Sequence, residues 1–176
     1  VTDNEDIAER CRSLRNLCFQ SEKRFVHEEL GWNFRMTNIQ AALGLSQMNR
    51  LDKFINDRNK IAKDYDNKLT KLPLVLPWQH PDTYSSYHLY PIRLKLDEIK
   101  ISQSDVYKQL TEIGILVNLH YIPVYRQPFY QRLGFEISYC PEAEKYFKEV
   151  ISIPIFPGLE KQEQNRIISS LKSILK

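Results

Sequence analysis

Two polar residues, Asn33 and Arg35, stand just ahead of a predicted helix start and could bind an anion. Thr37 is a favourable N-cap residue, and Gln40, three positions later, completes the pattern of a capping box. The unpaired N–H groups and the dipole at a helix N-terminus attract negative charge, and a guanidinium binds phosphate through two parallel hydrogen bonds. The pattern therefore indicates a phosphate site, against the commoner alternative of a turn-forming asparagine and a solvated arginine.

A second group of candidate recognition residues begins where a predicted strand ends. His120 and Tyr121 open an aromatic segment that Pro123 and Pro128 stiffen. Exposed loops with a restricted backbone are good binding surfaces, so ligand binding and a structural role are equally open for His120. His88 lies within a predicted strand, where a hydrogen-bonded structural histidine is favoured. The remaining polar candidates for recognition are Arg126 and Gln127.

No metal site or common catalytic motif is indicated by the sequence. The four histidines are scattered without metal-ligand spacing, and the three cysteines include no CxxC pair. An odd cysteine count also argues against a disulfide framework. Five dispersed glycines form no glycine-rich nucleotide loop, and no lysine lies in an apolar run that would favour Schiff-base chemistry.

The composition is typical of a soluble globular protein, with 42% hydrophobic and 27% charged residues in 176. The net charge of +3 arises from interspersed lysines and acids, which disfavours nucleic acid and a membrane surface as partners. Neither a run of about 20 apolar residues nor a signal peptide is present. The sequence therefore predicts a cytoplasmic protein.

Two predicted helices in the first 69 residues would position the first group of candidate residues. Apolar residues recur at helical spacing up to about Leu17 and again over residues 38–69, which predicts one short and one long helix. Gly44 in the long helix costs about 1 kcal/mol relative to alanine, so it is either tolerated or marks the close approach of another backbone. The segment between the helices, residues 18–36, lacks periodicity and carries three isolated aromatic anchors, namely Phe19, Phe25 and Trp32.

Alternating strands and helices follow residue 87 and predict a compact α/β domain. The expected order is strand, helix, strand, helix, strand, helix, over residues 87–94, 102–114, 115–119, 141–150, 151–158 and 160–176. Pro91, inside the first of these strands, indicates a sheet edge or a bulge because proline cannot donate a ladder hydrogen bond.

Four segments, taken together, resemble the DegT/DnrJ/EryC1/StrS sugar aminotransferases. They are GWNFRMTNIQAALG at residues 31–44, YHLYPI at 87–92, HYIPVYRQPFY at 120–130 and ISIPIFPGL at 151–159. They occur in the order of the family and span nearly the whole chain. Within the family, the sequence SSYHLYP at residues 85–91 and the loop after His120 are most similar to transaminases of pseudaminic acid synthesis that act on UDP-linked 4-amino-4,6-dideoxy sugars.

The resemblance implies the C-terminal portion of a fold type I pyridoxal-phosphate-dependent transferase. Its α/β fold would combine a long helical arm with a small domain that has a short, largely antiparallel sheet. Residues 1–70 would form the end of the large domain and the linking helix, residues 71–86 a linker, and residues 87–176 the small domain. The family implies a homodimer that uses pyridoxal 5'-phosphate to transfer an amino group from glutamate to a keto-sugar nucleotide, here a UDP-sugar of surface glycan or pseudaminic acid synthesis.

The resemblance also assigns roles to five residues. Asn33 matches the cofactor-binding asparagine that reaches across the dimer to the cofactor phosphate, and Arg35 matches an arginine that faces phosphate or substrate. His120 and Tyr121 match substrate-binding loop residues beside the nucleotide sugar. Trp32, also a substrate-binding position, stands where the family often has Tyr, and this change is expected to alter the packing of the sugar.

The family's Schiff-base lysine has no match in this chain. It is expected upstream of Val1, together with the aspartate that pairs with the pyridine nitrogen, so the fragment alone is expected to be inactive and without cofactor. Histidine in place of that lysine would make the protein a sugar dehydratase of the same family. A non-catalytic dimerisation or ligand-binding module is the alternative from a different class.

Overall fold

The structure is a computed structural model that describes residues 1–19, 26–27 and 29–176, and it contains two compact units, Val1–Arg50 and Leu51–Lys176. Phe25, one of the three predicted aromatic anchors, lies outside the described residues. The described helices of the first unit are α1 (Glu5–Arg15) and α2 (Asn38–Met48). The elements described in the second unit are α3 (Leu51–Leu69), β1 (Leu74–Val75), β2 (Tyr90–Leu94), α4 (Gln103–Glu112), a 3₁₀ turn (Val124–Arg126), α5 (Pro128–Arg132), α6 (Pro141–Glu149), β3 (Val150–Ile153) and α7 (Lys161–Ile174).

In the first unit, the segment after Gly31 pairs with the end of α1. The Trp32 N–H donates to the Leu14 carbonyl at 2.8 Å, and the Phe34 N–H donates to the Arg15 carbonyl at 3.0 Å. Gly31 is required where the two segments pass each other, because a Cβ there would lie 2.7 Å from the backbone nitrogen of Cys18. The pairing holds the segment that carries the candidate anion site.

The prediction of a single helix over residues 38–69 is wrong. The helix stops at Met48, and α3 begins at Leu51. The N–H groups of Asn49 and Arg50 both donate to the Gln47 carbonyl, which replaces the regular helical ladder with a tight turn. The two compact units divide at this turn. Apolar spacing continues across the break, and for that reason the sequence pattern did not reveal it.

The sheet of the second unit is antiparallel, with strand order β1-β2-β3. The first and third predicted strands are present but shorter than expected, whereas the predicted strand over residues 115–119 is wrong. Only Asn118 of that segment forms a bridge, and its partner is Ser152 on β3. Strand β3 forms its ladder with β2, and on its other side it pairs only through this bridge.

Pro91 lies in the middle strand, β2, and the sheet edge predicted at this proline is confirmed locally. Strand β1 pairs only with Arg93 and Leu94, whereas Pro91 is opposite Ser152 on β3. At Pro91 the described sheet therefore has a paired neighbour on one side only. Proline has no N–H to donate to a second neighbouring strand, and at this position no second strand needs that hydrogen bond.

The core of the second unit lies where α3, α4 and α7 pack with the sheet. It contains buried side chains from all three helices and all three strands, for example Tyr65, Leu110, Leu171, Leu74, Ile92 and Ile151. Helix α3 and strand β1 belong to this compact unit, although the sequence placed them before and within a linker. The division into residues 1–70, 71–86 and 87–176 stays a prediction about the domains of the whole protein. None of the described helices has the length and apolar character that crossing a membrane needs.

Candidate functional site

The candidate anion site is formed by Asn33 and Arg35 at the start of α2. The Arg35 Nε donates to the Asn33 Oδ1 at 3.1 Å, and both side chains are exposed. The predicted capping box is confirmed. The Thr37 N–H donates to the Gln40 Oε1 at 2.9 Å, and the Gln40 N–H donates to the Thr37 Oγ1 at 3.3 Å. These bonds set the direction in which the helix leaves the Asn33–Arg35 loop.

The two side chains keep several hydrogen-bond donors available. In the described part of the chain, the terminal nitrogens of Arg35 and the Nδ2 of Asn33 have no hydrogen-bond partner, and no carboxylate pairs with Arg35. A guanidinium edge and an amide N–H beside a helix N-terminus fit the oxygens of a phosphate. The phosphate of pyridoxal 5'-phosphate, which the resemblance implies, is therefore compatible with these residues.

Trp32 and Phe34 flank Asn33 and form a stacked aromatic pair. Their ring centroids lie 5.9 Å apart with an interplanar angle of 5°, and both side chains are exposed. Stacked rings on an exposed segment present a flat apolar face, which is a surface that packs well against a sugar or a base. Trp32 is thus a neighbour of the anion site in this unit.

His120 lies in the second unit and lines a cavity of about 500 Å³. The Nδ1 of its ring is 2.9 Å from the Oγ of Ser152, whose residue is only 5% exposed. His88 lines the same cavity but is exposed and precedes β2 instead of lying within it. The cavity wall is otherwise mainly apolar, with Ile115 and Ile155 among its residues.

Tyr121 is the exposed neighbour of His120. Its ring packs edge-on against the imidazole with centroids 4.6 Å apart, and its side chain is 71% exposed. The phenol therefore remains free to contact a ligand next to the cavity. Its assignment to substrate binding stays a prediction.

Arg126 has a structural partner. Its guanidinium binds both carboxylate oxygens of Glu144 on α6, with Nε to Oε1 at 2.8 Å, and the Tyr125 hydroxyl donates to the same Oε1 at 3.0 Å. The hydrogen bond from Arg126 holds the pKa of Glu144 below its ordinary value. Arg126 therefore ties the aromatic segment to α6, which does not favour the expected recognition role. Gln127 is exposed at the start of α5, and its recognition role stays a prediction.

Sequence reasoning missed Ser152 and Asn118. The backbones of these two residues exchange hydrogen bonds of 3.1 and 2.8 Å, so both hold the segment that leads to His120. The available signal was a serine inside the otherwise apolar strand Val150–Ile153, since a buried hydroxyl needs a hydrogen-bond partner.

The five predicted site residues fall into two groups. Trp32, Asn33 and Arg35 belong to the first compact unit, and His120 and Tyr121 belong to the second. The structure joins Asn33 to Arg35 and His120 to Tyr121, whereas Trp32 stacks on Phe34 next to the first pair. Among the described residues, no cluster of His, Cys, Asp or Glu could hold a metal ion.

The comparison with known proteins gives a consistent result. A model of the DegT/DnrJ/EryC1/StrS aminotransferase family matches residues 1–172. The chain is 32% identical over 178 residues to the UDP-4-amino-4,6-dideoxy-N-acetyl-beta-L-altrosamine transaminase of Campylobacter jejuni, which covers 99% of this chain and 47% of the relative. It is 33% identical over 175 residues to the dTDP-3-amino-3,4,6-trideoxy-alpha-D-glucose transaminase of Streptomyces venezuelae, with 98% of this chain and 44% of the relative covered.

A solved structure extends the likeness to the fold. PseC of Helicobacter pylori, an aminotransferase of pseudaminic acid biosynthesis, superposes with a TM-score of 0.85 at 28% identity, over 99% of this chain and 47% of PseC. This likeness confirms the expected fold class, the C-terminal portion of a pyridoxal-phosphate-dependent transferase. The chain spans about half the length of the curated relatives it matches. By the match over residues 1–172, this chain belongs to the DegT/DnrJ/EryC1/StrS aminotransferase family.

Proposed function

We propose that this chain is part of a pyridoxal-phosphate-dependent aminotransferase that transfers an amino group from glutamate to a UDP-linked keto-sugar. The observation that carries the proposal is the Asn33–Arg35 pair, with unpaired donors at a capped helix start inside a matched family motif. The sugar nucleotide class is supported by the relatives, whose names specify UDP- and dTDP-linked amino sugars. Pseudaminic acid or surface glycan synthesis is the proposed setting.

The residues of this chain would bind and orient the reactants. When bound, pyridoxal phosphate supplies an electron-withdrawing ring that stabilises negative charge next to the amino nitrogen. The Nδ2 of Asn33 would donate to a phosphate oxygen of the cofactor, and the terminal nitrogens of Arg35 would neutralise phosphate or substrate charge. The lysine that binds the cofactor would come from the longer protein, as the resemblance to the family implies.

The aromatic residues would hold the sugar nucleotide. The stacked faces of Trp32 and Phe34 offer an apolar surface for a deoxy-sugar ring. His120, at the wall of the 500 Å³ cavity, would contribute a hydrogen bond to the nucleotide, and Tyr121 would extend the contact outside it. Binding energy from these remote contacts fixes the reacting carbon of the sugar against the cofactor.

We also propose that the protein forms a homodimer in which a second copy covers α2. This helix carries no charged residue and has no buried residue in the described chain. Ile39 is 84% and Leu43 63% exposed. A helix that is apolar on several sides is normally buried. In the dimer, Asn33 and Arg35 would serve the cofactor and substrate of the neighbouring subunit.

The experiment that tests the function uses the full-length protein. We expect it to show the visible absorbance of bound pyridoxal phosphate and to aminate a UDP-linked keto-sugar with glutamate as donor. Arg35→Ala is expected to weaken cofactor or substrate binding by about tenfold or more, because a charge-assisted hydrogen bond is lost without a buried group being left unpaired.

Arg12→Ala is the matched control, since Arg12 is an exposed arginine on α1 of the same unit. The unfolding temperatures of both variants show whether a loss of binding comes from a loss of folding stability. A colourless full-length protein that never binds the cofactor would contradict the proposal. Bound cofactor with loss of a sugar hydroxyl in place of amination would identify the dehydratase instead.

A further inference from the structure

Ser152 anchors the segment that carries His120 through both its backbone and its side chain. Its backbone exchanges two hydrogen bonds with Asn118, and its Oγ lies 2.9 Å from the Nδ1 of His120. Ser152 is 5% exposed, and it lies on β3 between Pro91 of β2 and the bridge to Asn118. One buried residue therefore sets both the position of the segment and the orientation of the imidazole.

The direction of this hydrogen bond follows from what each group needs. A serine hydroxyl carries one proton, and a buried donor without an acceptor is unfavourable. Among the described residues, the only acceptor within hydrogen-bond distance of the Ser152 Oγ is the Nδ1 of His120. If the imidazole donated instead, the hydroxyl proton would have no acceptor among the described residues, since Ser152 lines the cavity beside His120 and has no other side-chain partner there.

We infer that Ser152 is a positioning residue whose hydroxyl donates to Nδ1 of His120 and keeps the proton of the neutral imidazole on Nε2. The Nε2–H group would then be the hydrogen-bond donor that His120 offers to a ligand in the cavity it lines. This role is separate from the contact of His120 with a ligand, because Ser152 acts through the imidazole.

Asn118 makes the same wall richer in donors. Its Oδ1 accepts a hydrogen bond from the N–H of Leu119 at 2.8 Å, which leaves the amide N–H₂ as the free end of the side chain. Asn118 and His120 both line the cavity. Two donors at this part of the wall suit acceptor groups such as the carbonyl or phosphate oxygens of a nucleotide, and Glu163 and Arg166 complete the charged part of the lining. This choice of ligand rests on the proposed function, whereas the tautomer of His120 does not.

The tautomer is tested directly in the full-length protein labelled with ¹⁵N-histidine. Long-range ¹H–¹⁵N spectra distinguish Nδ1–H from Nε2–H, and a His120→Gln sample identifies the signal of His120. We expect a single Nε2–H form in the wild type and in Ser152→Thr, which keeps the hydroxyl. Ser152→Ala is expected to mix the two forms. A proton on Nδ1 in the wild type, or an unchanged spectrum in Ser152→Ala, would overturn the inference.

The functional consequence is measured as the Kd for UDP. Ser152→Ala and His120→Ala are each expected to weaken binding about three- to tenfold, the range of one neutral hydrogen bond. Because Ser152 acts through His120, the double variant is expected to bind no more weakly than His120→Ala alone. Additive losses would contradict the positioning role. Ser173→Ala, at an exposed serine of α7, is the control and is expected to bind as the wild type does.

A failure of the proposed function gives a different result. If the wild-type protein binds none of UDP, GDP and dTDP, the nucleotide-sugar proposal is wrong. The histidine spectra of Ser152→Ala and Ser152→Thr then still decide whether Ser152 sets the tautomer.

Discussion

At the scale of single residues, the Arg126–Glu144 pair shows how the aromatic segment is held in place. Glu144 accepts hydrogen bonds from both Arg126 and the Tyr125 hydroxyl, and only 13% of its side chain is exposed. The guanidinium of Arg126 also lies 5.3 Å from the centre of the Phe147 ring. These contacts join the 3₁₀ turn to α6 and restrict the loop that begins at His120.

Glu144→Gln is expected to lower the thermal stability of the second unit at neutral pH, because it removes the charge but keeps the side-chain shape. The pKa of Glu144 is lowered in the folded protein by its bond to Arg126, so this stabilisation is present above the ordinary glutamate pKa and is lost as pH falls through the lowered one. The difference in unfolding temperature between wild type and variant should therefore shrink in acid. Glu142→Gln, at an exposed residue of α6, is the matched control for the loss of one negative charge from this helix.

Residue-level predictions from sequence succeeded where the interaction is local. The Thr37–Gln40 capping box spans three positions and was read directly from the residue types. Arg126 and Glu144 are 18 positions apart, and nothing in the sequence near Arg126 indicates which acid it meets. The bond from Ser152 to His120 spans 32 positions and depends on the pairing of β3, so it too required the structure.

At the scale of elements, α2 is the helix that most needs a partner. It has no charged residue, and beyond the adjacent residues and backbone of its own helix, no described atom lies within 4 Å of the position that a Cβ at Gly44 would take. The sequence raised two explanations for this glycine, tolerance and the close approach of another backbone. The open surroundings in the described chain leave room for a partner at this position.

Gly44→Ala distinguishes these two explanations in the full-length protein. Alanine favours the helix by about 1 kcal/mol, so a tolerated glycine predicts higher stability and unchanged dimerisation. If a second backbone packs at Gly44, the added methyl group is expected to weaken dimerisation about tenfold through overpacking. Analytical ultracentrifugation measures the dimer Kd. Ser173→Ala, at an exposed serine of α7 outside the proposed interface, serves as the control and should leave the Kd unchanged.

The sequence predicted most of the helices and strands. It failed where the start, end or pairing of an element depends on contacts with distant parts of the chain. Helices α4, α6 and α7 have clear caps or breaks and were located within a few residues. The break at Asn49 was missed because apolar spacing continues through it. The segment over residues 115–119 alternates as a strand does, with Ile115 and Val117 buried, but it pairs with β3 only through the bridge between Asn118 and Ser152.

At the scale of the whole molecule, the proposed dimer predicts that two inactive variants restore each other. Arg35→Ala damages a site on the neighbouring subunit, whereas replacement of the cofactor-binding lysine of the longer protein damages the subunit's own site. In a mixed dimer both defects fall on one site and leave the other intact. After random exchange of subunits, about a quarter of the wild-type activity is therefore expected. Activity no higher than the sum of the two separate variants would show that Arg35 serves its own subunit.

The absence of charge on α2 also determines how the proposed association responds to its surroundings. Burying this helix removes apolar surface from water without forming ion pairs, so added salt would not screen the contact. The hydrophobic contribution weakens on cooling, because near room temperature it is almost entirely entropic. An association built on α2 would be cold-labile, and subunits would exchange more readily on ice than at growth temperature.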